Sequence, residues 1–248
     1  MTTATATRPG TQASPTRHAL RVLLRAFRPL TTWFWVIVVV AAAAATPVVA
    51  AVTGEVEISL VGLARQGGIW VLFAMSIVLV AVHLSASVAA GMTRRTFARA
   101  SLVAAGGTGL LWGVLLTVLV LVERAVHRAL GWDTHLADAL LPDPTSSVGL
   151  LLAELVPMHV VGAVTGLLVG VVYQRVGGWW GTLALPLTFL PLALVIGTDE
   201  AQVAFVPVEG VTPGAAVAVH VLGALLVTVA AAAAYTAVAR TVVVRRTT

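Results

Sequence analysis

Six apolar runs, each of about 20 residues, constrain this chain more than any other feature. A run of this length crosses the roughly 30 Å hydrocarbon core of a bilayer as a helix. Lipid offers no partner to a free backbone N–H or C=O group, so each run is expected to be helical. Only 10% of the residues are charged, against about 25% in soluble domains. The predicted spans are Trp33–Val52, Ile69–Ala90, Ser101–Val122, Val148–Val172, Trp179–Gly197 and Ala215–Val238.

The charged residues divide unequally between the two sides of these spans. The side that holds both termini carries 12 of the 15 arginines and no acid, whereas the other side carries three arginines and all 10 acids. Positively charged links stay on the cytoplasmic side of a membrane. The sequence therefore predicts an all-α integral membrane protein with six transmembrane helices and both termini in the cytoplasm. We expect no nucleic-acid partner, because topology accounts for the basic charge, and we place the chain in a bacterial plasma membrane.

Four regions follow from this reading of the chain. Residues 1–14 are rich in Thr, Ala, Pro and Gly, which is typical of a disordered cytoplasmic tail. Residues 15–30 have the pattern of an amphipathic interfacial helix. Residues 31–240 form the six-helix transmembrane domain, and residues 241–248 form a basic cytoplasmic tail.

The predicted interfacial helix separates its basic and apolar residues. Ser14 and Pro15 are typical of a helix start, and Pro29 is expected to end the helix before the first span. Such a helix lies in the plane of the interface, with its arginines toward anionic headgroups of the bilayer. An Arg-rich, acid-poor start is also typical of mitochondrial transit peptides. The basic face carries Arg17, Arg21, Arg25 and Arg28, and the apolar face carries Leu20, Leu23, Leu24 and Phe27.

Two missing residue types exclude several kinds of site. The chain has no cysteine, which excludes disulfides, thiolate metal sites and cysteine nucleophiles. It also has no lysine, and a phosphate-binding loop of the G-x-x-x-x-G-K-[ST] type needs one. We therefore predict no catalytic site, no metal site and no cofactor bound by this chain.

Ionisable residues within the spans are candidate functional groups. Glu154 and His159 in the fourth span are a possible pathway or proton site, although a spacing of five residues is poor for one helical face. Glu154 lies near the outer boundary, where Arg124 or Arg128 can pair with it.

Glycines and prolines in the spans predict how the helices pack. Glycines four residues apart allow two membrane helices to approach closely, either within the chain or between subunits. Prolines Pro186 and Pro191 are expected to kink the fifth span. The glycine pairs are Gly109 with Gly113 in the third span, and Gly162, Gly166 and Gly170 in the fourth.

The link between the second and third spans, GMTRRTFARAS, resembles a known pattern. It is similar to the Gly-x-Ser/Thr-Arg-Arg-x-Phe link found in the permease subunits of type-2 ATP-binding-cassette (ABC) transporters. Six spans, cytoplasmic termini and a basic amphipathic helix before the first span are also similar to that family. The matching residues are Gly91, Thr93, Arg94, Arg95 and Phe97, with Arg99 extending the basic face.

The resemblance implies a function and partners. In that family the link is a short coupling helix that docks on a separate ATPase, which holds ATP and magnesium. It implies a homodimeric, exporter-like permease for a hydrophobic or amphipathic compound. In this chain Thr93 can cap a short helix, Arg95 and Arg99 share a face, and Phe97 can enter a pocket of the partner. Two alternatives remain, a proton-coupled secondary transporter and a non-transporting membrane scaffold or regulator.

Overall fold

The structure is a computed structural model that describes residues 15–137, 139–141, 144–196 and 212–242. The predicted tail 1–14 and residues 243–248 of the predicted tail 241–248 fall outside these residues. The described chain is helical, and its only bridge between extended residues joins Ile58 to His135. Its helices are α1 (Pro15–Thr53), α2 (Ala64–Ala89), α3 (Arg94–Ala129), α4 (Val148–Val176), α5 (Gly178–Leu183), α6 (Leu185–Ile196) and α7 (Pro213–Thr241), with a 3-10 turn at Pro144–Ser146.

Within the described part of the chain, six helical segments are long and apolar enough to cross a membrane. Helices α5 and α6 together form the fifth, from Gly178 to Ile196. The prediction of a multi-pass all-α membrane protein is therefore confirmed in its architecture. The span boundaries differ mainly at α1 and α3, which extend well beyond their apolar runs.

Helix α4 is the centre of the bundle and packs against α2, α3, α6 and α7. In its most apolar 18-residue window 78% of the residues are buried, against none in the corresponding window of α1. A helix that is buried all round can be apolar all round, and α4 fits that description.

Glycines bring α2 and α3 close to α4. A Cβ atom added to Gly166 would lie 2.8 Å from Cβ of Ser76 in α2, and one added to Gly170 would lie 3.1 Å from Cα of Ile77. On the other side, a Cβ added to Gly113 would lie 2.6 Å from Cα of Val156 in α4. Gly109 faces the backbone of α4, and Gly162 faces Ile69 of α2, in the same way. Both glycine motifs therefore serve contacts within the chain.

Helix α1 runs without interruption through the predicted boundary at Pro29, so that boundary is wrong. Pro29 and Pro47 both lie inside the 39-residue helix. A membrane helix tolerates proline because neighbouring groups and local adjustment satisfy the freed carbonyl. At 1.5 Å per residue α1 is about 58 Å long, almost twice the hydrocarbon thickness.

The apolar face of the first half of α1 also differs from the prediction. Leu23 and Phe27 are buried in the protein core, while Leu24 is exposed. Most of that face therefore packs on the bundle instead of resting in lipid. The basic face is exposed as expected, at Arg17, Arg21, Arg25 and Arg28.

The fifth span is interrupted at Ala184, two residues before Pro186. Pro186 has no N–H to donate to the preceding turn, which accounts for the break. Pro191 lies inside α6 without ending it. The predicted kink is therefore present, and it is placed at the first of the two prolines.

Two connections at one end of the bundle pair with each other. The N–H of Ser59 donates to the carbonyl of His135 at 2.9 Å, and the N–H of His135 donates to the carbonyl of Glu57 at 2.9 Å. Val56 and Leu136 are buried beside them. We call the connections 54–63 and 130–147 together the cap.

Candidate functional site

The two ends of the bundle differ in charge. The end formed by the start of α1, the α2–α3 link and the end of α7 holds no acid among the described residues. We call it the arginine-rich end. The opposite, acidic end carries the cap and all the described acids, Glu55, Glu57, Glu123, Asp133 and Glu154. The described arginines of the first end are Arg17, Arg21, Arg25, Arg28, Arg94, Arg95, Arg99, Arg175 and Arg240.

The α2–α3 link is a tight, hydrogen-bonded turn. The N–H of Met92 donates to the carbonyl of Ser87 at 3.0 Å. Gly91 has φ of +87°, a conformation that disfavours any residue with a Cβ. Thr93 accepts a hydrogen bond from the N–H of Thr96 at 3.1 Å and is the N-cap of α3. The predicted helix N-cap at Thr93 is present, but it begins the 36-residue helix α3 itself and not a separate short helix.

The arginines of the link face outward. Arg95 and Arg99 are exposed, one helical turn apart on α3. Neither has an ion-pair partner among the residues that the structure describes. Arg94 instead reaches the end of α7, where its guanidinium donates to the carbonyl of Arg240 at 3.5 Å.

Phe97 does not take the position that the sequence predicts. Its side chain is 0% exposed and belongs to the apolar core of the chain. It cannot enter a partner's pocket in this conformation. The reason is tertiary: Phe97 lies in the same apolar core as Leu23 and Phe27 of α1.

A second contact joins the start of α3 to α7. The hydroxyl groups of Ser101 and Tyr235 lie 2.7 Å apart and both residues are 0% exposed. Ser101 also donates to the carbonyl of Ala98 at 3.0 Å. The link is therefore tied to α7 at Arg94 and again two turns further along α3. A lone tyrosine in an alanine-rich span is the signal that sequence analysis missed.

At the acidic end, Glu154 is buried and pairs with Arg65. The Arg65 guanidinium donates to Oε1 of Glu154 at 2.9 Å, and both side chains are almost fully buried. The prediction that Arg124 or Arg128 pairs with Glu154 is wrong, because Arg124 donates to the carbonyl of Thr145 and Arg128 is exposed. The sequence does not indicate Arg65 as the partner of Glu154, although it is the only arginine between the first two spans.

The same carboxylate also holds the cap. The N–H of Leu140 donates to Oε1 of Glu154 at 2.9 Å, and the N–H of Leu141 donates to Oε2 at 2.9 Å. Glu154 thus joins α2, α4 and the 130–147 connection. An ionised, buried carboxylate is stable only with such partners, so this geometry is that of a structural clamp.

Glu123 plays a similar part on α3. Its Oε1 accepts from the N–H groups of Leu60 at 2.9 Å and Val61 at 3.0 Å, and Oε2 accepts from the hydroxyl of Ser59. Unlike Glu154, it has no cationic partner among the described residues. Its negative charge is bound only by neutral donors.

His159 is not joined to Glu154. Its Nδ1 lies 2.7 Å from the carbonyl of Leu155, and its Nε2 is buried with no partner in the described part of the chain. The ring lies beside Gly68, where an added Cβ would be 2.9 Å from Nε2. The two residues that the sequence paired as a proton site therefore bind different groups.

No family model, curated protein or solved structure matches the chain. Among the described residues, no group of three or more His, Asp or Glu side chains is placed to hold a metal ion.

Proposed function

We propose that the chain is the membrane permease subunit of an ATP-driven transporter, whose separate ATPase subunit docks on the α2–α3 link. The observation that carries this proposal is the exposure of Arg95 and Arg99 on a tightly turned link, without an acidic partner among the described residues. Exposed, unpaired charge on a rigid element is suited to an acidic partner, because electrostatic complementarity steers association. ATP and magnesium belong to that partner.

The contacts behind the link supply a route for movement. Force applied to Arg95 and Arg99 acts on α3 directly, because Thr93 begins that helix. The Arg94–Arg240 and Ser101–Tyr235 contacts pass it to α7. Two long helices that both pack on α4 then move together, as in the hinge and shear motions of other proteins.

The orientation and assembly belong to the same proposal. The arginine-rich end faces the cytoplasm of a bacterial plasma membrane, in line with the positive-inside rule. The permease works as a homodimer with two ATPase subunits and exports a hydrophobic or amphipathic compound. Proton-coupled transport is the weaker candidate, because every contact of Glu154 described above has a structural role.

Co-purification of ATPase activity tests the docking claim. The tagged full chain is solubilised from its native membranes, purified, and assayed for vanadate-sensitive ATP hydrolysis. We expect the wild type to carry this activity, and the double variant Arg95→Glu/Arg99→Glu to lose it by at least about tenfold, the equivalent of about 1.4 kcal/mol.

The matched control is Arg17→Glu/Arg21→Glu, which makes the same charge change on exposed arginines at the same end. It should retain the activity. A wild type without ATPase activity, or an equal loss in both double variants at equal folded yield, would contradict docking at the link.

A further inference from the structure

A groove between α1 and α3 lies beside the cap, at the acidic end of the bundle. Its volume is about 410 Å³, within the range of about 300–1,000 Å³ that small-molecule sites occupy. Its walls are apolar, formed by the second half of α1 and the second half of α3. The wall residues include Val39, Ala42, Ala43, Leu119, Val122 and Val126.

Polar side chains also line the groove. They include Thr46, Glu123, His127 and Trp132. His127 is 1% exposed, and its Nδ1 has no hydrogen-bond partner among the described residues. The His127 and Trp132 rings are in edge contact, with centroids 5.5 Å apart.

These groups favour a positive charge. The Glu123 carboxylate is held only by neutral donors and has no ion-pair partner among the described residues. An indole ring attracts a cation over its face, and a neutral imidazole nitrogen can accept a hydrogen bond. Neither Arg124 nor Arg128 lines the groove, and the Arg124 guanidinium donates to the Thr145 carbonyl.

A carbonyl of α1 adds a further acceptor. Pro47 has no N–H, so the carbonyl of Ala43 lacks its usual donor four residues on. Both residues line the groove. The groove therefore combines apolar walls with several hydrogen-bond acceptors among its lining residues.

We infer that this groove binds an amphipathic organic cation, with the apolar body between α1 and α3 and the cationic centre beside Glu123 and Trp132. The interpretation of this groove as a transport substrate site rests on the proposed function. Binding of the cation does not rest on it, because the groove is formed by this chain alone. It narrows the substrate class to hydrophobic cations.

Two ions of nearly the same shape and opposite charge test the charge preference. Tetraphenylphosphonium and tetraphenylborate are measured by equilibrium dialysis against the purified full chain in phosphatidylcholine nanodiscs, with empty nanodiscs subtracted. We expect saturable binding of the cation and no saturable binding of the anion. Equal binding of both ions, or no binding above empty discs, would overturn the inference.

Glu123→Gln tests the carboxylate. The amide keeps an oxygen for the N–H groups of Leu60 and Val61, and its NH₂ can donate to the Ser59 hydroxyl, so the cap can remain intact. We expect the affinity for tetraphenylphosphonium to fall by at least about tenfold. An unchanged affinity in folded protein overturns the role of Glu123.

A steric pair keeps the inference testable if Glu123→Gln fails to fold. Ala43 lines the groove and is exposed, whereas the neighbouring Ala44 is exposed and does not line it. Ala43→Trp should abolish saturable cation binding, and Ala44→Trp should retain it. Equal binding in the two variants overturns the location. These assays contain no ATPase, so their failure is distinguishable from failure of docking at the link.

Discussion

At the scale of single residues, two carboxylates organise the acidic end in different ways. Glu154 has a buried cationic partner in Arg65, whereas Glu123 is bound only by neutral donors among the described residues. The contacts of Glu154 are structural, because its carboxylate is paired with Arg65 and bonded to the backbone of the cap. The arrangement at Glu123 leaves negative charge beside an apolar groove, and we assign it a binding role for that reason.

The Arg65–Glu154 pair should show strong coupling. Arg65→Gln and Glu154→Gln each remove one charge from a buried pair, and each should lower the free energy of unfolding by about 3–5 kcal/mol. The double variant should lose less than the sum of the two, with a coupling energy of about 0.5–3 kcal/mol. The measurement is the unfolding of the detergent-solubilised protein by added SDS.

Arg128→Gln is the control, because Arg128 is exposed at the same end of the bundle. A surface substitution should change stability by no more than about 0.5 kcal/mol. Strictly additive losses in the double variant would show that Arg65 and Glu154 do not stabilise each other.

Sequence analysis failed at this scale for a physical reason. Arg65 and Glu154 are 89 residues apart, and no local pattern joins them. The burial of Phe97 could not be predicted from the α2–α3 link alone, because it depends on packing in the apolar core. The helical cap at Thr93 was predictable, because it depends only on neighbouring residues.

At the scale of helices, the small residues of α3 and α4 decide how closely the bundle packs. Gly162, Gly166 and Gly170 face α2, and Gly109 and Gly113 of α3 face α4. The spacing predicted close contact, and left open whether it lies within the chain or between subunits. The contacts between helices distant in the sequence show that the close approach lies within the chain.

Gly166→Ala should destabilise the bundle. The new Cβ would lie 2.8 Å from Cβ of Ser76 and close to the backbone carbonyl of Phe73. Overpacking of this kind costs about 1–3 kcal/mol. The melting temperature of the detergent-solubilised protein should therefore fall, as measured by loss of the monodisperse peak in size-exclusion chromatography after heating.

The matched control is Gly106→Ala in α3, where nothing lies within 4 Å of the added Cβ. Alanine is favoured over glycine in a helix by about 1 kcal/mol, so this variant should be unchanged or slightly more stable. A stability of Gly166→Ala equal to that of Gly106→Ala would mean that α2 and α4 are further apart than described.

At the scale of the whole molecule, charge separates the two ends of one helical bundle. The six spans and this separation were predictable, because hydrophobic length and arginine position are local properties of the sequence. The cap was not predictable, since it depends on pairing between connections about 75 residues apart, at Ser59 and His135. We propose that the ATPase subunit docks at the arginine-rich end and that the ligand binds at the acidic end.

Photo-crosslinking from position 95 tests this assignment most directly. A photoreactive benzoylphenylalanine replaces Arg95 at the arginine-rich end, where Arg94 and Arg99 are kept for docking, or, as the control, exposed Glu55 at the acidic end. Native membranes are irradiated and adducts of the tagged chain are identified by mass spectrometry. The account predicts an adduct with an ATP-binding subunit from position 95 and none from position 55. Absence of such an adduct at position 95, or the same adduct from both positions, would contradict it.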